Sequence, residues 1–446
     1  MRLWLDVDDL FNFSERNQRP TGIQRLTGEA YLALAGRYPD KVGFVRHAEV
    51  PGGFILVDWQ DVQATYRRLA HGCHAVRPVP DRATDLHSIL SRLMKGIRPS
   101  SRAQLASHSS APFKGVSIAK AAEPSDVLCT LGAPWHDARY EARVAKCKEA
   151  TGLRFAILIH DLIPLLRPEY FDVGRAPHFE RVIAGILPLA DAVLTNSKAT
   201  ARDVSAWADR KKIALGSIPH AIPIGAGFDK PTWGSLPAGL HAGEYVLFVS
   251  TIEVRKNHQQ AFRIWCRLLR ELPRDKVPKL VFAGGWGWMV EDLRKAIEAT
   301  GNLDNKLVVV SSPDDATLAA LYRGCQFTLF LSYYEGWGLP VSDSLSFGKV
   351  CVASERTSMP EAGGRYCLYV DPDNTTAAFE TVKNLVSSPN MLRRLEGELR
   401  DNYTPTPWST TADAIVQALF PGAGSIKDSA EVEPSPVSVA AALRGA

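Results

Sequence analysis

The chain has 446 residues, 46% of them hydrophobic and 22% charged, with a formal net charge of +4. That length is too great for one ordinary core and sets an expectation of two domains of about 200 residues each. So mild a charge gives no indication of bulk nucleic-acid binding.

Short apolar runs alternate with helical patterns along most of the chain. "RLWLDV" reads as a first strand, and "TGIQRLTGEAYLALAGRY" as a helix with Ile23, Leu26, Ala30 and Leu34 at helical spacing. Val127–Gly132, Arg154–Asp161 and Ala192–Ser197 read as strands ending in polar residues, and another strand falls near 217–222. "PIGAGFDKPTWGSLPAGLHAG" then breaks the rhythm with Gly and Pro, a linker signature. The alternation restarts at Glu244–Thr251 and continues through "KLVFAGG", "KLVVVSS", "QFTLFLS", "VCVASE" and "CLYVDP", with helices such as "NHQQAFRIWCRLLREL" and "DATLAALYRG" between them. Strands interleaved with helices imply parallel sheets, since each crossover needs a helix. Two α/β halves are expected: 1–235 and 236–400.

Two segments depart from this pattern. From Asp81 to Lys120 there are seven Lys/Arg against two Asp. Within it Leu86, Ile89, Leu90, Leu93, Met94 and Ile97 form one helical face, flanked by Arg92, Lys95 and Arg98. Two readings stand: a helix packed on its domain, or peripheral contact of 86–98 with an anionic membrane. The stretch 421–446 is small, polar and Pro-containing, and reads as a disordered tail.

The seven cysteines (Cys73, Cys129, Cys147, Cys266, Cys325, Cys351 and Cys367) form no C-x-x-C pair. Most lie in apolar segments, so they read as buried thiols of a reducing compartment. "MRLWLDVDDLF" meets Asp6, Asp8 and Asp9 too soon for a signal peptide. No uncharged apolar run approaches the roughly 18 residues needed to span a bilayer. The expected location is the cytoplasm, with peripheral attachment to the inner face of the cell membrane as the alternative.

Ligands of open parallel sheets bind beyond the carboxyl ends of the strands. Four polar clusters lie there. In "VSTIEVRKNH", Arg255 and Lys256 can neutralise a diphosphate; two solvated charges at a helix start is the alternative. Cations at a helix N-terminus are unfavourable unless an anion joins them. In "YYEGWGLPVSDSLSFGK", Gly336 and Gly338 permit close backbone approach, Pro340 suits a helix start, and that start can hold a phosphate. Glu335 would lie beside the phosphates and reach sugar hydroxyls, and Asp343 would reach further ones. His160 and Asp161 interrupt an apolar run at a strand end, as site residues or as a satisfied structural pair. In "RPTGIQR", Thr21 and Gly22 can open an anion-accepting helix N-terminus with Arg25 one turn in, or form a structural turn. Walker A, G-x-G-x-x-G, H-E-x-x-H and zinc-spacing motifs are absent, which disfavours ATP hydrolysis, ordinary NAD binding and zinc hydrolysis.

The ordered set "VSTIEVRKNH", "FAGGWGW", "DATLAALYRGCQFTLFLSYYEGWGLPVSDSLSFGKVCVAS", "MPEAGG" and "YVDPDN" resembles a family 4 glycosyltransferase. "RPTGIQR", "HDLIPLLRPEYF" and "LTNSKATARDV" are similar to its bacterial mannosyltransferase-like branch. The resemblance implies a GT-B fold, with two Rossmann-like domains whose parallel sheets face a central cleft. It implies an acceptor-side first domain, a nucleotide-sugar-binding second domain, and a helix in 401–420 that crosses back. Arg255 and Lys256 resemble the pair gripping the donor diphosphate. Glu335 resembles the first acid of an E-x7-E motif, which holds the sugar, within a backbone loop formed by Gly336, Trp337, Gly338 and Leu339. His160 matches a histidine near the reacting sugar, and Thr21–Gly22 a loop near phosphate and acceptor. The second motif acid, usually Glu and bonded to ribose, is Asp343 here, with roughly 1.3 Å less reach.

The reaction so implied is retaining transfer from a nucleotide-diphosphate sugar, GDP-mannose favoured, to a glycan or lipid-linked glycan acceptor in polysaccharide biosynthesis. No cofactor and no metal are implied. A sugar-nucleotide epimerase and a degenerate sugar-nucleotide-binding subunit are the alternatives.

Overall fold

The structure, a computed structural model, describes residues 1–71, 115–228 and 234–421. Cys73, the basic segment up to residue 114 with its 86–98 face, and the tail beyond Pro421 lie outside the described residues.

The first half is built on β1 (Leu3–Asp6), β2 (Val42–His47), β3 (Phe54–Val57), β4 (Val127–Thr130), β5 (Arg154–Ile159), β6 (Ala192–Thr195) and β7 (His220–Ala221). They lie in the order 3-2-1-4-5-6-7. The second half uses β8 (Tyr245–Val249), β9 (Lys279–Ala283), β10 (Leu307–Val310), β11 (Thr328–Phe330), β12 (Cys351–Ser354) and β13 (Cys367–Val370), in the order 10-9-8-11-12-13. This second sheet is parallel throughout. The first is parallel except for β3, which turns back antiparallel on β2 with Phe44 opposite Val57. The short link between them, with Gly52 and Gly53 at φ 79° and 74°, has no room for a crossover helix. The alternation rule therefore does not extend to this edge. A helix at Asp8–Arg16, absent from the sequence reading, follows β1 directly. Asp8 and Asp9 in its first turn complement its dipole.

Both orders reverse beside their first strand: between β1 and β4, and between β8 and β11. Loops leaving the carboxyl ends of strands at such switch points are where an open sheet presents a crevice. The central strands are buried, as expected where helices cover both faces.

The chain end returns to the first domain. Its helix Trp408–Leu419 buries Ala412, Ile415 and Leu419 in the core that holds Leu5, Leu26 and Leu34. Tyr38 donates to Asp413 Oδ1 at 2.6 Å, and Arg154 Nη2 to the Leu419 carbonyl at 2.7 Å. Nearer the cleft, Arg25 of the Gly22–Arg37 helix reaches across to Asp315, the first residue of the Asp315–Gly324 helix. Its Nη2 lies 2.5 Å from Oδ1 and its Nη1 3.1 Å from Oδ2, a two-pronged pair with both side chains 11% exposed.

Because this pair is inter-domain and largely shielded, Arg25→Ala and Asp315→Ala should be non-additive. A double-mutant cycle on unfolding free energy is expected to give a coupling of about 1–3 kcal/mol, and purely additive losses would show that the pair ties nothing together.

Candidate active site

The loops at the two switch points enclose a cleft of about 770 Å³ between the domains. Thr21, Gly22, His160, Arg255, Lys256, Glu335, Gly336, Trp337, Gly338 and Leu339 all line it, together with Asp161. Asp343 does not.

Arg255 and Lys256 follow β8 in a tight turn, Val254–Lys256, before the helix His258–Glu271. The anions that join them are the protein's own. Glu335 Oε1 lies 2.9 Å from Arg255 Nη1 and 2.5 Å from Lys256 Nζ, and Glu253 lies 2.6 Å from Arg255 Nη2. Burial alone would raise the Glu335 pKa, yet Arg255 and Lys256 outweigh it and pull it down to about 2. Burial opposes the charge on Arg255, but Glu335 and Glu253 more than offset this and raise its pKa. Burial and the adjacent Arg255 lower that of Lys256, against the pull of Glu335.

The Glu335 loop is fastened on all sides. Arg255 Nη1 donates to the Tyr334 carbonyl at 2.5 Å, and Thr357 Oγ1 accepts the Glu335 N–H at 3.1 Å. Ser358 donates to the carbonyls of Glu335 and Trp337. Gly338 has φ 109° and precedes the helix Leu339–Ser346, in which Pro340 lies in the first turn. Gly336 is required for another reason. A Cβ there would fall 1.8 Å from the His160 carbonyl oxygen and 3.1 Å from Asp161 Cβ. The close backbone approach read from the sequence is thus an approach to the first domain. Trp337 packs against the cores of both domains, and Leu339 is buried in the core of the first.

On the first-domain wall, His160 directly follows β5 and its Nε2 lies 2.8 Å from the Leu131 carbonyl. A carbonyl can only accept, so Nε2 carries the proton and Nδ1 is an acceptor. Burial holds the ring's pKa down at about 4, with the Leu131 bond opposing. His160 is therefore neutral near pH 7 and suited to receiving a hydroxyl hydrogen bond, not to acting as an acid. Thr21 donates to Gln24 Oε1, and Gln24 Nε2 donates to Asp9 Oδ2 at 3.1 Å, which sets the corner of the helix start.

Asp343 sits one turn beyond Leu339 in the Leu339–Ser346 helix and is not among the residues that line the cleft. It is 4% exposed, and its Oδ1 accepts the N–H of Gly227, in the segment joining the domains, at 3.0 Å. Burial raises its pKa to about 6, opposed by Arg25 and the Gly227 N–H. Sequence reasoning missed several cleft residues. Glu253 stood two residues before Arg255 in a segment already singled out. Asn196, just after β6, is buried, and its Oδ1 has no hydrogen-bond partner among the described residues. Trp135 and Arg175 also line the cleft and gave no signal beyond residue type.

Two outcomes follow. In the unfolded chain His160 charges below its ordinary value of 6.5, whereas the folded ring stays neutral to about 4. The unfolded state then binds more protons across that window, so stability falls as pH drops from 6.5 to 4, by up to ~3 kcal/mol. His160→Asn, which keeps a donor for Leu131, should flatten this fall in urea denaturation above and below the window. Gly336→Ala should force the seam apart: solution scattering is expected to show a wider molecule, and an unchanged profile would refute the close-approach argument.

Residues 240–401 match the family Glycosyl transferases group 1. The chain is similar to the serotype-specific mannosyltransferase WbdA of Escherichia coli, 29% identical over 207 residues, 44% of this chain and 25% of that one. It is also similar to the O-antigen chain mannosyltransferase B of Escherichia coli, 27% identical over 237 residues, 50% of this chain and 59% of that one. It thus spans about a quarter of WbdA and somewhat over half of the second relative. The crystal structure of Anabaena Alr3699/HepE in complex with UDP and glucose shares the fold, with a TM-score of 0.56 at 13% identity, over 94% of this chain and 99% of that one. Residues 240–401 are thus similar to the group 1 glycosyl transferases, and the chain as a whole has the two-domain GT-B fold.

Proposed function

We propose that this protein is a retaining glycosyltransferase of polysaccharide biosynthesis. It moves a hexosyl group, mannose by preference, from a nucleoside-diphosphate sugar to a glycan or lipid-linked glycan acceptor. The observation that carries the reading is the Arg255–Lys256–Glu335 triad at the second-domain switch point, which faces the helix start at Thr21–Gly22 across the cleft. The similarity to two Escherichia coli mannosyltransferases supports mannose, with GDP-mannose as the favoured donor. Among the described residues no helix is long and apolar enough to cross a membrane.

In this reading the donor diphosphate replaces Glu335 as the partner of Arg255 and Lys256. Glu335 turns to the sugar hydroxyls, and the N-terminus of the Leu339–Ser346 helix adds its N–H groups to the phosphates. As the bond from the anomeric carbon to the phosphate oxygen breaks, negative charge grows on the diphosphate. Donors already aimed at it lower the barrier without reorganising. The acceptor hydroxyl attacks the same face, and its proton passes to the departing phosphate oxygen, giving the glycoside and the nucleoside diphosphate. His160 Nδ1 accepts a hydrogen bond from a sugar hydroxyl.

Arg255→Ala and Lys256→Ala are each expected to lower nucleotide-sugar turnover by about 100-fold or more. Radiolabelled transfer from GDP-mannose, with UDP- and dTDP-sugars in parallel, measures this. Full activity in both variants would remove the triad from the reaction.

A further inference from the structure

The charges at the triad do not balance. Arg255 and Lys256 are two cations. Facing them are Glu335 and Glu253, each in contact, and a third carboxylate from the other domain, Asp161. Asp161 lines the cleft with its Cβ against Gly336, the residue after Glu335. Its Oδ1 accepts the Ile163 N–H at 3.0 Å, and its Oδ2 has no hydrogen-bond partner among the described residues. The charged and titratable groups that face it are Arg255 and Lys256 from the turn after β8, and Glu335 and Tyr334 from the loop after β11.

A nucleoside-diphosphate sugar brings two further negative charges into this shielded cleft. Like charges held close in a poorly solvated site cannot all persist, and the least compensated acid takes up a proton. Glu335 and Glu253 touch cations; Asp161 does not. We propose that binding of the nucleotide-sugar donor is coupled to uptake of one proton by Asp161, making it a donor-site residue whose neutral carboxyl hydrogen-bonds the bound ligand through Oδ2. The inference rests on the donor reading above. The proton comes from solvent and settles on Oδ2, and no bond of the donor changes. Burial raises the Asp161 pKa, against the pull of Arg255.

The sign is fixed by linkage. A ligand whose binding takes up a proton binds more weakly as pH rises, by about tenfold per pH unit between the group's pKa in the free and bound states. The test is calorimetric titration of the full-length protein with GDP-mannose, and with UDP- and dTDP-sugars, in buffers of different ionisation enthalpy. A nucleotide sugar has no phosphate group that titrates near neutrality, so the buffer dependence of the heat counts protons taken up by the protein. Uptake approaching one proton is expected. Asp161→Asn should abolish it and flatten the pH dependence, because the amide keeps an acceptor for Ile163 and mimics the neutral acid. Binding without uptake, or uptake that survives in Asp161→Asn and so belongs to Lys256 or another group, would overturn the coupling and leave the donor reading intact. Failure of all three donor classes to bind would overturn both.

Discussion

A buried carboxylate held between two cations organises this molecule. Arg255 is 12%, Lys256 14% and Glu335 9% exposed, so water does little to compensate any of them. Removing one member of such a group leaves an uncompensated charge, at a cost of about 3–5 kcal/mol. Pairing can be met only if the loop after β8 and the loop after β11 arrive together, and they do so because those strands are neighbours where the sheet order reverses. Further bonds make the two loops one unit: Arg255 reaches the Tyr334 carbonyl, and the Tyr333 N–H returns to the Arg255 carbonyl at 3.0 Å. The second domain thus carries its share of the candidate site as one bonded unit.

The seam with the first domain is built differently. Glu361 accepts the N–H groups of Lys198 and Ala199, so a carboxylate of one domain caps a helix of the other. Tyr334 donates to Asp203 at 2.6 Å, and Arg25 pairs with Asp315. Against these, Arg19 Nη1, Asn196 Oδ1, Arg255 Nε and Trp337 Nε1 are buried without hydrogen-bond partners among the described residues. Each such atom costs about 1–3 kcal/mol. Attractive contacts and unmet polar groups therefore share one interface, the condition under which a ligand able to satisfy the latter shifts the balance between domains.

The parts of this site legible in the sequence were those fixed by local pattern. Arg255, Lys256, Glu335 and His160 stood out as polar residues at the ends of apolar strands, and parallel sheets placed those ends together. The unfavourable position of two cations before a helix pointed to a diphosphate; the anions that the structure places there are Glu335 and Glu253. What could not be read depends on contacts between distant segments. Gly336 signalled close approach without saying that the partner is the His160 carbonyl. Arg25 looked like part of an anion site and is instead held by Asp315, 290 residues away. The antiparallel β3 gave no periodic signal distinguishing it from a parallel edge strand.

Asp343 is where the two kinds of information meet. Its spacing of eight residues from Glu335 suggested a shared ligand; Glu335 lies in the cleft loop, whereas Asp343 lies one helical turn beyond Leu339 and does not line the cleft. There it holds the Gly227 N–H at 3.0 Å, already a full hydrogen bond. A glutamate would carry its carboxylate roughly 1.3 Å further, a displacement the linker could absorb only by moving. The shorter acid instead lets the segment joining the domains rest against the same helix whose first turn lies in the cleft. The Gly227–Asp343 bond thus joins the inter-domain segment to the helix that follows the Glu335 loop.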